Sequence, residues 1–325
     1  MFPKEIRIVF MGTPDFAVES LKALVENGYQ VVGVITAPDK PAGRGRQLSE
    51  SAVKKFALEN GLNVLQPEKL KNPEFLAELE SLKADLQIVV AFRMLPEIVW
   101  NMPPLGTFNL HASLLPQYRG AAPLNWAVIN GETETGVTTF LLSHEIDTGR
   151  IIFQEKVTIG ENDTVGDLHD RMMAIGSELV LKTVNALAEG KIEPIDQTQM
   201  IDDPERIKHA PKIFKEDCCI DWTSSTESVR NLIRGLSPYP AAWTELIHPE
   251  KSEVITAKIY LAVYDHSNLP AAPGTIITDG KKYLKIACPD GWLSVTDIQL
   301  SGKKRMKIDE LLRGFQSIGE WKIKI

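Results

Sequence analysis

The sequence predicts an α/β protein that carries a second, smaller β-rich domain. In the first part of the chain, short apolar strands alternate with helical patterns, which is typical of a mostly parallel sheet with helices on both faces. Beyond residue 206 several short strands follow one another, and this pattern favours a small closed or Greek-key barrel. A length of 325 residues fits two domains better than one.

The elements of the first domain are predicted from apolar runs and helical periodicity. Buried strands are predicted at Ile6–Met11, Val31–Ile35 and Leu86–Ala91. Helices are predicted at Phe16–Glu26, Ser51–Asn60 and Thr164–Ala188. Glycines follow all three helices, as expected at helix C-termini. A Rossmann-like first domain is therefore expected.

The second domain begins after a polar, proline-containing stretch at residues 191–213, which is interpreted as a linker. We expect domains at 1–206 and 207–325, the second being an OB-like barrel. Its predicted elements are one helix near Glu227–Gly235 and strands at Trp243–Ile247, Ile255–Val263, Gly274–Ile277, Tyr283–Ala287 and Leu293–Leu300.

Composition and residue spacing argue against a membrane-spanning protein, a metal site and a dinucleotide site. No apolar run approaches the ~20 residues of a membrane span, and the N-terminus has no signal-peptide pattern, so a cytoplasmic protein is expected. A monomer is the default expectation. The three cysteines, Cys218, Cys219 and Cys288, have no metal-binding spacing, and no metal is assigned. The turn Gly12–Asp15 lacks the glycine pattern of a dinucleotide site.

Charge is distributed unevenly along the chain. The net charge is −7, but residues 1–206 carry 19 Lys and Arg against 29 Asp and Glu, while residues 207–325 carry 17 against 14. An anionic partner for the second domain is one explanation, and an accident of surface composition is the other.

A polar triad carries the chemistry that the sequence suggests. Asn109 and His111 lie two residues apart in the strand-like run Thr107–His111, so they project from one face of it. Asp147 follows in a loop-like stretch. A donor, a titratable donor and a base suit transfer of an acyl-type carbonyl group. The alternative is that these are ordinary polar residues bonded to nearby backbone.

Two clusters of positive charge are candidate nucleic-acid contacts. The cationic loop, residues 36–49, carries Lys40, Arg44 and Arg46 and suits an RNA backbone or strand end. The basic turn comprises Lys303, Lys304, Arg305 and Lys307. It is expected to attract RNA without sequence specificity. Either cluster is also compatible with a solvated surface segment.

The chain resembles enzymes that use 10-formyltetrahydrofolate as a formyl donor. The motifs that carry the resemblance are NLHASLLP at Asn109–Pro116, YRGAAP at Tyr118–Pro123 and Asp147-Thr148-Gly149. Three more stretches, at Pro38–Arg46, Ser237–Thr244 and Gly302–Met306, point to members whose acceptor is initiator methionyl-tRNA. Gln117-Tyr118 and Glu145-Ile146 depart from the residues commonly found beside these motifs.

The resemblance implies a role for each candidate residue. Asn109 and His111 would face the formyl oxygen, while Asp147 would orient His111 and assist removal of the amine proton. Ser113, Leu114, Leu115 and Pro116 would form a wall against the folate. Lys40, Arg44 and Arg46, together with Lys303, Lys304 and Arg305, would contact the tRNA.

Two rival functions remain open at this point. The first keeps the chemistry and changes the acceptor to a sugar nucleotide or glycinamide ribonucleotide, which the cationic loop and the basic second domain disfavour. The second is a nucleic-acid-binding module without catalysis, which the complete polar triad disfavours.

Overall fold

The computed structural model of the chain describes residues 2–42, 47–267 and 269–325. These residues form two compact units, which confirm the predicted fold class. The first unit comprises Met1–Gly120, Glu134–Thr158 and His169–His209. The second unit comprises Ala121–Thr133, Ile159–Leu168 and Ala210–Ile325. The predicted assignment of catalysis to 1–206 and of RNA binding to 207–325 stays a prediction.

The strands and helices are as follows. The strands are β1 (Arg7–Gly12), β2 (Gln30–Ile35), β3 (Lys40–Ala42), β4 (Gln47–Ser49), β5 (Val64–Leu65), β6 (Leu86–Val90), β7 (Thr107–His111), β8 (Arg119–Gly120), β9 (Glu134–Leu141), β10 (Ile151–Thr158), β11 (His209–Ala210), β12 (Ala242–Ile247), β13 (Val254–Asp265), β14 (Ile276–Thr278), β15 (Leu284–Cys288), β16 (Gly291–Leu300), β17 (Met306–Lys307) and β18 (Lys322–Ile323). The helices are α1 (Asp15–Glu26), α2 (Ala52–Glu59), α3 (Pro73–Ser81), α4 (Glu97–Trp100), α5 (Pro123–Ile129), α6 (Val165–Glu189), α7 (Thr226–Gly235) and α8 (Ile308–Gly314).

Local sequence explains where the predicted helices begin and end. The Ser51 hydroxyl caps α2 by accepting a hydrogen bond from the Lys54 N–H. Before α6, the Asp167 carboxylate accepts from Thr164 while the Asp167 N–H donates back to the Thr164 hydroxyl, a capping box with Asp in place of Glu. Gly28, just beyond α1, has a φ of +73°, which glycine adopts without strain.

The first unit is built on a seven-stranded sheet in the order β10-β9-β7-β6-β1-β2-β5. The five strands from β7 to β5 pair in parallel, whereas β9 and β10 are antiparallel additions at one edge. Strand β6 is buried along its whole length, as a central parallel strand requires. Strand β7, which carries Asn109 and His111, therefore lies between a buried parallel strand and an antiparallel one and is paired along both edges.

The second unit contains an antiparallel sheet in the order β14-β15-β16-β13-β12-β18, with β17 paired to β16. Its interior is apolar and includes Trp222, Leu293 and Leu312. The two ends of the sheet approach each other, because a Cβ built on Gly274, just before β14, would lie 3.2 Å from the Cβ of Ile323 in β18. The sheet is therefore a nearly closed barrel, as predicted.

Two predicted site residues, Arg44 and Arg46, lie outside the described residues. Within the described part of the chain, no helix is both long enough and apolar enough to cross a membrane.

Candidate active site

Strand β7 presents Asn109 and His111 on one face. Asn109 is opposite Phe140 of β9 in the strand register, so these two side chains share that face. The Phe140 ring packs edge-on against the His111 imidazole, with 6.4 Å between ring centroids. His111 is only 7% exposed, while Asn109 is partly open. The strand alternation that the sequence indicated therefore brings the two side chains together.

Asp147 reaches the same place from the connection between β9 and β10. Its φ of +54° is a left-handed conformation that Asp tolerates better than most residues. Two residues later, a Cβ on Gly149 would lie 1.7 Å from the Leu141 carbonyl oxygen, so only glycine fits. The Gly120 N–H donates to the Asp147 carboxylate at 2.9 Å. The loop thus aims one carboxylate inward and holds it there.

The imidazole of His111 is placed between two acceptors. Its Nε2 lies 2.9 Å from the Tyr118 carbonyl oxygen, and because a carbonyl only accepts, Nε2 carries the proton. Its Nδ1 lies 3.8 Å from Asp147 Oδ2, which is too long for a direct hydrogen bond. A gap of this length suits one bridging polar atom, from water or a substrate. Nδ1 and the carboxylate can therefore act together on a proton between them.

The Asn109 side chain has no hydrogen-bond partner among the residues that the structure describes. This amide stands on the same strand face as His111, beside an aromatic wall. An uncommitted N–H donor on the strand face of an imidazole that itself lies 3.8 Å from a carboxylate suits stabilisation of charge on a carbonyl oxygen while a proton is removed nearby.

The backbone of the segment Ser113–Pro116 is held by hydrogen bonds from side chains of strands β9 and β10. Thr138 donates from its hydroxyl to the Ser113 carbonyl at 2.6 Å and accepts from the Leu115 N–H at 3.2 Å. Gln154 Nε2 donates to the Leu115 carbonyl at 2.8 Å. These three backbone groups are already paired, and the hydrogen bonds fix the shape of the surface that the segment offers to a ligand.

Sequence reasoning missed Gln197, which lies in the stretch interpreted as a linker. It begins a short 3₁₀ helix, Gln197–Met200, and is 1% exposed. Its Nε2 donates to the carbonyls of Asp147 and Gly149, each at 2.8 Å. Its Oε1 accepts from Arg119 Nε at 3.1 Å and Nη2 at 2.6 Å. A polar residue in a polar stretch gives no signal of burial, and nothing in the pattern could have identified it.

Of the three predicted cationic site residues in the first unit, Lys40 lies within the described residues. Its side chain is exposed at the start of β3. The residue before it is anchored, because the Asp39 carboxylate accepts from Lys54 Nζ at 2.5 Å and from Gln66 Nε2 at 2.8 Å. These hydrogen bonds, that of Lys54 first, lower the pKa of Asp39. The base of the cationic loop is therefore fixed to the body of the first unit.

Three of the four cationic side chains of the basic turn already form ion pairs within the fold. Arg305 Nη2 lies 3.3 Å and Lys307 Nζ 2.8 Å from the carboxylate of Asp297, whose side chain is 7% exposed. The Arg305 guanidinium also stacks over the Tyr260 ring at 4.4 Å. Lys304 forms an exposed pair with Glu310 at 3.6 Å. Within the described residues, Lys303 alone of the four has no ion pair.

No group of three or more His, Cys, Asp or Glu side chains is arranged to hold a metal ion in the described ranges.

Two family models match the chain. One, described as "Formyl transferase", matches residues 6–184, and the other, "Formyl transferase, C-terminal domain", matches residues 212–316. Among curated proteins, methionyl-tRNA formyltransferase of Bacteroides thetaiotaomicron is 61% identical over 318 residues, covering 97% of this chain and 98% of that protein. That of Flavobacterium johnsoniae is 52% identical over 320 residues, covering 98% and 99%.

Solved structures share the fold at low identity. WlaRD, a sugar 3N-formyl transferase solved in the presence of dTDP and 5-N-formyl-THF, has a TM-score of 0.63 at 22% identity, covering 92% of this chain and 99% of its own. HypX from Aquifex aeolicus in complex with tetrahydrofolic acid has a TM-score of 0.63 at 19% identity, covering 96% of this chain and 47% of its own. At these identities the likeness concerns the fold alone.

Proposed function

This chain belongs to the formyl transferase family, and we propose that it transfers a formyl group from 10-formyltetrahydrofolate to the α-amine of methionine on initiator tRNA, for translation initiation. It is an enzyme of one-carbon group transfer, and its family uses a folate-derived formyl donor. The choice of acceptor is carried by the relatives, which match nearly the whole chain at 52–61% identity. We also propose that it acts as a monomer in the cytoplasm.

The site residues fit such a donor. The free Asn109 amide and the 3.8 Å gap between His111 Nδ1 and Asp147 Oδ2 supply a donor and a proton acceptor on one partly open strand face. When bound, 10-formyltetrahydrofolate supplies the electrophilic formyl carbon. The segment Ser113–Pro116, held by Thr138 and Gln154, is a fixed surface against which the folate can be oriented.

Each member of the polar triad then has a separate task. Asn109 donates to the formyl oxygen as negative charge builds there during attack by the amine. Asp147, with His111 Nδ1 beside it, takes the proton that the amine loses as its new bond to carbon forms. The same proton would then pass to the donor nitrogen of the folate as its bond to the formyl carbon breaks, so that tetrahydrofolate leaves and no proton is lost overall. The Tyr118 carbonyl and the Gly120 N–H hold the imidazole and the carboxylate in place. Because Nε2 carries the imidazole proton and donates it to Tyr118, His111 can donate to the formyl oxygen only if Nδ1 is protonated as well.

The tRNA is proposed to contact both units. In the first unit the contacts are Lys40, Arg44 and Arg46, with Arg44 the leading candidate because a guanidinium binds phosphate and stacks on bases. In the second unit they are Lys303, Lys304 and Arg305. Joining two weak contacts raises the overall affinity through effective concentration.

The acceptor is tested by measuring formyl transfer to methionyl-tRNA with the initiator acceptor stem and with an altered stem. We expect rapid transfer to the first and slow transfer to the second. Transfer to an amino-sugar nucleotide or glycinamide ribonucleotide, without transfer to methionyl-tRNA, would contradict the proposal.

The proposed tRNA contact of the cationic loop is tested by Arg44→Ala. The control is Lys55→Ala, which removes an exposed positive charge on α2. Arg44→Ala should raise the KM for methionyl-tRNA and leave folate binding unchanged, whereas Lys55→Ala should change neither. If Arg44→Ala weakens folate binding and leaves tRNA affinity normal, the loop belongs to the donor side.

A further inference from the structure

Gln197 is completely buried and uses its whole amide to join two loops of the first unit. Its two N–H groups are directed at the carbonyls of Asp147 and Gly149, and its oxygen receives the guanidinium of Arg119. Sidechain amides offer two donors and one acceptor oxygen, so every polar group of Gln197 is satisfied. Because all of its hydrogen-bonding groups are in use, Gln197 fixes the distance between the two segments that it joins.

The two segments are the ones that hold His111 and Asp147. On one side, Tyr118 accepts from His111 Nε2 and is directly followed by Arg119. On the other side, Asp147 has a left-handed backbone, and its carbonyl has the Gln197 amide as a partner. The Gly120 N–H also donates to the Asp147 carboxylate, which links the two segments directly. The distance between Nδ1 and Oδ2 thus depends on how the 118–120 and 147–149 segments are held together.

We propose that Gln197 is a positioning residue that sets the placement of Asp147 relative to His111 for proton removal from the attacking amine. This inference rests on the proposed function, because it assigns Gln197 a task in the same reaction. Gln197 contacts no reacting atom and acts only through the Asp147 loop. Misplacing a catalytic group by about 1 Å can slow a reaction ~10²-fold, so the effect of losing Gln197 should fall between ~10- and ~10²-fold in kcat.

The test compares three variants with the full-length protein in formyl transfer to methionyl-tRNA. Gln197→Ala removes all four hydrogen bonds. Gln197→Glu keeps the side-chain size and the contact with Arg119 but loses the two N–H donors. Gln199→Ala, on the exposed side of the same 3₁₀ helix, is the matched control. We expect both Gln197 variants to lower kcat with unchanged folate affinity, and the control to behave as wild type.

A double-mutant cycle separates positioning from a merely structural role. If Gln197 acts through Asp147, adding Gln197→Ala to Asp147→Asn should cause little further loss, because the group being positioned is already disabled. If kcat of the double variant instead falls by the product of the two single-variant factors, the proposal is overturned. Wild-type kcat in Gln197→Ala would also overturn it. If that variant does not fold, Gln197→Glu decides alone, and wild-type kcat in it overturns the proposal.

Failure of the proposed function is recognised separately. If the wild-type protein does not formylate methionyl-tRNA, the acceptor assignment fails. The inference is then judged by hydrogen exchange of the Gly120 amide, which donates to Asp147. Faster exchange in Gln197→Ala than in Gln199→Ala supports the positioning role, and equal exchange overturns it.

Discussion

The polar triad in the first unit and the basic turn in the second unit differ in how far the fold has committed their functional groups. In the triad, backbone groups hold His111 and Asp147 in place, and the Asn109 amide has no partner among the described residues. In the basic turn, Arg305 and Lys307 serve to neutralise the buried carboxylate of Asp297. A cluster of charges in sequence therefore does not show how many of its members already have partners within the fold.

The largest expected effect concerns the triad. His111→Ala should lower turnover ~10²–10⁴-fold, the range typical for loss of a group that takes part in proton transfer, while folate binding persists. Steady-state kinetics and a folate-binding titration measure the two quantities. His266→Ala, which removes an exposed histidine of the second unit, is the control and should leave both unchanged. Turnover near wild type in His111→Ala would remove His111 from the mechanism.

The next effect is on stability. Replacing Arg305 and Lys307 together with Ala leaves the Asp297 carboxylate buried without a counter-ion, which should reduce the free energy of unfolding by about 3 kcal/mol. Chemical denaturation measures this reduction. Lys304→Ala breaks only an exposed pair and should change stability by less than about 0.5 kcal/mol. If the double variant is as stable as wild type, the two cations do not serve to neutralise Asp297, and the basic turn is as uncommitted as the Asn109 amide.

The smallest effect is on the salt dependence of tRNA binding. Lys303 and Lys304 are the members of the basic turn that do not serve Asp297, and replacing both with Ser should flatten the slope of log affinity against log salt by about 1–2. The control is the same replacement of Lys281 and Lys282, an exposed lysine pair elsewhere in the second unit, which should leave the slope unchanged. An unchanged slope in the Lys303/Lys304 variant means that these two lysines do not contact RNA.

The sequence predicted what depends on local pattern. Apolar runs located the strands to within a few residues, as for β6, and glycines located helix ends, as for α2, which ends at Glu59, shortly before Gly61. The alternation around Asn109 and His111 correctly placed both on one strand face, because side chains of a strand alternate by geometry alone.

The rest depends on partners that are far apart in the chain and leave no local pattern. The contact between Arg119 and Gln197 joins residues separated by 78 positions, and that between Gln197 and the Asp147 carbonyl spans 50. Backbone groups such as the Tyr118 carbonyl and the Gly120 N–H are present at almost every residue, so nothing in the sequence marks them as parts of a site. Asp297 lies only 8 and 10 residues from Arg305 and Lys307, but the pairing of strands β16 and β17 that brings them together is not marked in the sequence.

The Asp147 carboxylate is proposed to remove the proton of the attacking amine beside His111. Asp147→Asn tests it most directly, because the amide keeps the size of the side chain and can still accept from the Gly120 N–H. Single-turnover formyl transfer to methionyl-tRNA, with folate saturating, isolates the chemical step. We predict a rate lowered ~10²–10⁴-fold with unchanged folate affinity. A rate close to wild type would contradict the account.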